Sequence, residues 1–377
     1  MRILQIGKYY PPSRGGMETV LRLMCEGLLD RGHEVTVLVS GPGWKDRWET
    51  IVGPRSGRAG RLLRTGTPVT VNGQPLSPGL PRLLAGVLRD DAPDLVQLHL
   101  PHPAACAAVL GALPRGAGAG PALCVWYHAD ITRQRLGARL VRPLVRACLG
   151  RAAGVAVSTA TLRDGSSLLA PHRERVRVIP FGIDADGWAA TTPAPDGPFL
   201  FVGRLVYYKG LRLLLEAVRR TSEARLVVVG EGPLRRGLER QARGEGLAGR
   251  VRFTGELSDR DLRREMGGAR ALVLPSDGAG ETFGVVQLEA MAAGLPVIST
   301  RLPTGVAEVN RDGETGRVVP PGDAAALAAA LAEILAAPAM ARGWGEAGRW
   351  RVGARFGRDT MLDALEAWYA DARAGRG

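Results

Sequence analysis

Short apolar runs alternate along the chain with stretches of helical period, and this alternation is its strongest structural signal. Residues 2–7 read as a strand, 17–31 as a helix closed by Gly32-His33, and 34–39 as the next strand. Further strands are predicted at 94–99, 122–127, 154–158 and 176–180, with a helix over 103–113. The second half repeats the theme, with strands at 199–202, 225–229, 251–254, 271–274 and 296–298 and helices starting near Lys209, Pro233, Asp259 and Thr282. Such βα alternation builds parallel sheets covered on both faces, so the pattern predicts an α/β chain of two doubly wound, Rossmann-like domains. Residues 1–183 are expected to form the first and 184–355 the second, joined by a Pro-, Ala- and Asp-rich stretch that runs to Pro198. The last helix, about 356–377 with Leu362, Leu365, Trp368 and Tyr369 as its apolar face, is expected to pack back onto the first domain. Residues 41–82, rich in Gly, Pro and Arg, stay unassigned apart from a strand pair suggested around 61–64 and 67–71.

Composition narrows the class. The 377 residues exceed one typical domain, and 45% hydrophobic with 23% charged residues is a globular balance. No run approaches the ~18–20 apolar residues of a membrane span, and Met1-Arg2 leads straight into a strand without a signal-peptide pattern, so a cytoplasmic protein is expected. Cys25, Cys106, Cys124 and Cys148 stand singly among apolar neighbours, which suits buried thiols better than disulfides or metal ligands. The net charge of +13 is uneven: residues 1–180 carry 24 Lys and Arg against 12 Asp and Glu, residues 181–377 carry 26 against 25. A one-sided basic half points to an anionic partner such as phospholipid, a pyrophosphate-bearing acceptor or nucleic acid.

Candidate chemistry sits where strands run into helices. Gly15-Gly16 lets backbone amides approach a phosphate or sugar at a helix start. His128-Ala129-Asp130 lies at a strand's carboxyl end, the ligand-facing edge of an open α/β sheet. Arg135, Arg139, Arg142 and Arg146 form the basic stripe of an amphipathic helix, suited to an anionic membrane surface or to solvent, with Pro143 expected to kink or divide it. Arg204 and Lys209, six positions apart counted inclusively, put two cations at one strand-to-helix crossing, where they could hold a diphosphate. Lys209 is one of three lysines among 50 basic residues. Glu281 and Glu289 bracket a small-residue turn, Thr282-Phe283-Gly284-Val285, that opens a helix, and Leu257 lies in another loop at a strand end that could hold a base. Asp184-Ala185-Asp186 has the spacing of a metal–nucleotide clamp, but no further ligands cluster near it.

Over nearly its whole length the chain resembles the retaining glycosyltransferases of family 4, which have the two-domain GT-B fold. Glu281-x7-Glu289 with Phe283-Gly284 looks like that family's donor-site signature, Arg204 with Lys209-Gly210 like its diphosphate pair, Gly15-Gly16 like its first-domain glycine loop, and residues 180–184 like its interdomain segment. The resemblance implies that Glu289 binds ribose hydroxyls, that Arg204 and Lys209 neutralise the leaving diphosphate without a metal or other cofactor, and that Glu281 and the Phe283-Gly284 backbone hold the donor sugar near His128. Residues 8–12 with Tyr9 and Tyr10, residues 127–134 with Asp130 and Arg133, and residues 206–210 look most like mannosyl- and rhamnosyl-type transferases of surface-polysaccharide assembly. A hexose, mannose first, would pass from a nucleotide sugar, GDP-linked first and UDP-linked second, to a lipid-linked or oligosaccharide acceptor, at the inner face of the membrane. Two rivals are an epimerase of the same architecture and a basic nucleic-acid-binding protein; the second leaves the paired glutamates unexplained.

Overall fold

The computed structural model describes residues 1–71, 73–114, 120–130, 135–189 and 193–375, and divides into two compact units, 1–181 with 358–377, and 182–357. The first unit is built on β1 (Arg2–Ile6), β2 (Glu34–Pro42), β3 (Arg47–Val52), β4 (Ala59–Thr67), β7 (Leu95–Leu100), β8 (Ala122–Tyr127), β9 (Gly154–Val157) and β10 (Val176–Val178), in the order β10-β9-β8-β7-β1-β2-β4-β3. Every pair is parallel except β3 with β4. A parallel sheet is covered on both faces, which is why β7 is buried at every position and reads as a continuous apolar run with only Gln97 and His99 interrupting it.

The unassigned stretch resolves into edge structure. Residues 59–67 are one strand between β2 and β3, and β5 (Val69–Val71) pairs with β6 (Gln74–Leu76), so the suggested pairing of 61–64 with 67–71 does not occur. Apart from Ile51, every residue of β3 is exposed, so no burial pattern marked it. Pro143 lies inside a single helix, Arg135–Arg151, and does not divide it. Val145, Cys148 and Leu149 of that helix are buried in the core of the first unit, and this packing holds the helix together across the missing amide. Its apolar side here belongs to the protein interior, while Arg142 and Arg146 are exposed. Arg133 falls outside the described residues. All four cysteines are buried free thiols.

The helix Arg358–Arg373 packs against the helix Gly16–Asp30 of the first unit, burying Leu362, Leu365, Trp368 and Tyr369. Ion pairs ring this contact: Arg31 meets Glu366 at 2.6 Å and Asp363 at 2.7 Å, His33 meets Glu366 at 2.6 Å, and Arg358 pairs with Asp30, both nearly buried. The second unit is a parallel sheet of β11 (Phe199–Val202), β12 (Leu226–Val229), β13 (Val251–Gly255), β14 (Ala271–Leu274), β15 (Val297–Thr300) and β16 (Gly316–Val319), in the order β13-β12-β11-β14-β15-β16. Among the described residues no single helix is long and apolar enough to cross a membrane.

Burial raises the carboxyls of Asp30 and Glu366, but hydrogen bonds outweigh it: from Ser56, Arg358 and Arg55 to Asp30, and from His33 and Arg31 to Glu366. Both folded values therefore lie below the ordinary range, so their stabilisation is full above the unfolded value of about 4 and is lost as pH falls below it. Near-ultraviolet circular dichroism, which reports Trp126 set edge-on to Trp368 at 6.1 Å, should hold steady down to about pH 4 and fall below it. Glu366→Gln should make that fall shallower; an unaltered acid transition in the variant would contradict the assignment.

Candidate active site

The strand order of the second unit reverses between β11 and β14, the switch point at which open α/β sheets bind ligands beyond the carboxyl ends of the strands. Two loops leave the sheet there side by side. The first carries Arg204, which is exposed, and then Lys209, which is buried at the end of a short turn, Tyr207–Lys209. The second carries Ser276 and Glu281. Lys209 Nζ lies 2.5 Å from Glu281 Oε2, and the Ser276 hydroxyl donates to the same oxygen at 3.0 Å. Thr300, at the end of β15, fixes Ser276 by donating to its carbonyl at 2.5 Å. Each charge is about a tenth exposed, so neither is tolerable there without the other.

Tyr208 seats the second loop. Its carbonyl accepts from the Asp277 amide at 3.0 Å, and its ring lies so close to Gly280 that a Cβ there would come within 2.8 Å of it. The helix Val285–Ala292 then begins at Gly284, whose φ of 72° is a left-handed conformation suited to glycine. Phe283 is buried against Phe356, Gln287 donates to the Phe283 carbonyl at 3.1 Å, and the Thr282 carbonyl accepts from the Gly305 amide at 2.9 Å. Val285 is buried, Glu289 is half-buried about one turn into the helix, and Leu257 is half-buried beyond β13. Sequence reasoning placed Glu281 on a sugar and Lys209 on a phosphate; the structure brings the two side chains into contact. Ser276, Thr300 and Tyr208 escaped it, although Ser276 follows the Pro275 that ends a predicted strand.

In the first unit His128 follows β8 and is buried, its Nε2 2.8 Å from His99 Nδ1. His99 Nε2 lies 3.0 Å from Gln5 Oε1 and 2.9 Å from Gln97 Nε2. Gln5 donates to the Tyr369 hydroxyl at 2.9 Å, and that hydroxyl donates in turn to Gln97 Oε1. Burial pulls His128 down to about 3 and His99 well below its ordinary value, so both rings are neutral near pH 7. His128 is thus a neutral hydrogen-bonding group, with its Nε2 engaged by the chain that runs to the C-terminal helix. A cavity of about 10 Å³, room for one water, lies among Lys8, Tyr9, Glu18, His99 and His128.

Other first-unit candidates separate. Gly15 precedes the helix Gly16–Asp30 and lies under the Glu18 carboxylate, so that a Cβ there would overlap it. Tyr9 is half-buried. Tyr10 is buried, and its backbone carbonyl accepts from Arg64, itself held by Glu49 at 2.7 Å. Asp130 accepts from the Tyr127 hydroxyl at 2.7 Å and from Ser166 at 2.8 Å, which ties it to its own unit. Arg135 and Arg139 fall on the helix Arg135–Arg151. Among the described residues no three His, Cys, Asp or Glu side chains gather to hold a metal ion.

Two α/β units, one with such a switch-point site, fit the GT-B fold, and the comparisons show a glycosyltransferase. Residues 14–186 match Glycosyltransferase Family 4, and residues 189–351 match Glycosyl transferases group 1. The O-antigen chain mannosyltransferase C of Escherichia coli is 32% identical over 98% of both chains. The D-rhamnosyltransferase WbpZ of Pseudomonas aeruginosa is 33% identical over 92% of this chain and 89% of that one. A GDP-mannose-dependent alpha-(1-6)-phosphatidylinositol monomannoside mannosyltransferase of Mycolicibacterium smegmatis is 30% identical over 92% of each. Among solved structures, sucrose-phosphate synthase from Thermosynechococcus elongatus superposes with a TM-score of 0.81 over 99% of both chains at 23% identity. The chain belongs to the family-4 glycosyltransferases.

Removing one member of the buried pair strands the other. Lys209→Met should cost about 3–5 kcal/mol of stability, and Lys209→Met with Glu281→Leu should recover most of it. Urea unfolding of the second-unit signal measures both; equal loss in the single and double variants would show that the charges are not coupled.

Proposed function

We propose that this transferase moves mannose from GDP-mannose to a hydroxyl of a lipid-linked or oligosaccharide acceptor, with retention at the anomeric carbon and without a metal. The observation that carries the reading is the buried Lys209–Glu281 contact beside exposed Arg204 at the β11–β14 switch point. As the sugar–oxygen bond breaks, negative charge develops on the departing diphosphate, and a fixed ammonium and guanidinium stabilise it where a divalent ion serves elsewhere. Glu281 holds Lys209 in place before the donor arrives. Glu289 takes the ribose hydroxyls, and the Phe283-Gly284 backbone, with Thr282 and Val285 beside it, borders the sugar. Leu257 contributes to the base end. In a front-face transfer the acceptor oxygen bonds to the anomeric carbon on the side the phosphate leaves, and a phosphate oxygen takes the acceptor's proton. His128, neutral, offers a hydrogen bond to a sugar hydroxyl and no charge.

The choice of mannose and of a GDP donor is supported by the printed activities of the E. coli and M. smegmatis relatives. A cytoplasmic enzyme working at the inner membrane face is part of the same reading, with exposed Arg142 and Arg146 as its contacts to anionic headgroups. Incubating the protein with GDP-, UDP- and dTDP-hexoses, with and without acceptor glycans, should release GDP from GDP-mannose in an acceptor-dependent way and give an α-linked product by NMR. Release of UDP alone would overturn the donor, inversion would overturn the stereochemistry, and an epimerised sugar formed without acceptor would replace transfer by epimerisation.

A further inference from the structure

We infer that the second unit carries a separate binding site for a small organic anion, at the opposite end of its sheet from the donor site. The site is a cavity of about 330 Å³, within the roughly 300–1,000 Å³ range of small-molecule pockets. Arg270 immediately precedes β14 and Pro296 immediately precedes β15, so the cavity lies at the amino ends of these strands. Ser276 and Glu281 lie beyond their carboxyl ends, and β14 alone, four residues long, separates the two edges by roughly 13 Å. Nothing in the donor site uses this cavity.

The lining sets the ligand's chemistry. Among the described lining residues, three arginines, Arg270, Arg342 and Arg349, outnumber one carboxylate, Glu346. Guanidinium forks match phosphate or carboxylate oxygens in pairs. The rest of the wall is largely apolar, including Pro195, Pro338 and Ile334, which accepts a hydrocarbon or ring face and no further charge. Two of the arginines are set by backbone carbonyls: Arg270 donates to Gly197 at 2.6 Å, and Arg349 to Ala292 and Ala293 at 3.1 and 2.9 Å. Arg342 is exposed at the cavity's rim. The fitting occupant is a phosphate or carboxylate on an apolar body of metabolite size. Ala292 and Ala293 end the helix whose middle carries Glu289, so an anion drawing on Arg349 would meet the far end of a donor-site element.

Phenyl phosphate is the probe, titrated calorimetrically into the full-length protein beside inorganic phosphate, which lacks the apolar body, and benzyl alcohol, which lacks the charge. Phenyl phosphate should bind one-to-one and more tightly than either control. Arg342→Glu should weaken it by about tenfold or more, Arg342→Lys should restore part of the loss, and Arg204→Gln in the donor site should leave it unchanged. Absence of binding to the native protein, equal affinity in Arg342→Glu, or loss through Arg204→Gln instead would each overturn the assignment.

Discussion

The second unit turns on one constraint: a lysine ammonium and a glutamate carboxylate, each nearly out of water, must stay in contact. Taking either charge out of water alone costs several kcal/mol, so only loop arrangements that bring both together are admissible. The β11–β14 adjacency supplies the approach, Ser276 and Thr300 fix the carboxylate from below, and Tyr208 holds the glycine turn that delivers it. The result is a lysine fixed against a carboxylate in a dry setting, where in the proposed reaction it would meet the departing diphosphate.

The first unit solves a different problem with neutral groups. His128 and His99 are buried without a carboxylate in the chain of hydrogen bonds that joins them to Gln5, Gln97 and Tyr369, and burial strips them of charge. A neutral imidazole held through its Nε2 keeps a fixed ring position, because the neighbouring ring is itself anchored to Gln5 and Gln97. The chain ends on Tyr369, so the C-terminal helix, returning to the first unit after residue 357, helps set the ring at the strand end.

Much of this was legible in the residues alone. Parallel strands buried on both faces read as apolar runs, and the spacing from Glu281 to Glu289 marked the helix start. What failed to show has physical causes. Strand β3 is an exposed edge whose only buried residue is Ile51, so no hydrophobic pattern betrays it. Pro143 argued for a break that core packing of Val145, Cys148 and Leu149 overrides. Lys209 and Glu281 are far apart in sequence, and their contact follows from strand order, which periodicity does not encode. Tyr10 is buried, and Asp130 accepts from the Tyr127 and Ser166 hydroxyls, a burial and a bonding that their positions in the chain do not encode.

The central claim is that this switch point recognises a diphosphate through Arg204 and Lys209. The most direct measurement is the affinity of GDP relative to GMP, by titration calorimetry, in the native protein and in Arg204→Gln, whose exposed site leaves the fold alone. The account predicts that the native protein prefers GDP by about tenfold or more, roughly 1.4 kcal/mol, and that the variant loses most of that preference. A preference for the second phosphate that survives undiminished in the variant would contradict it.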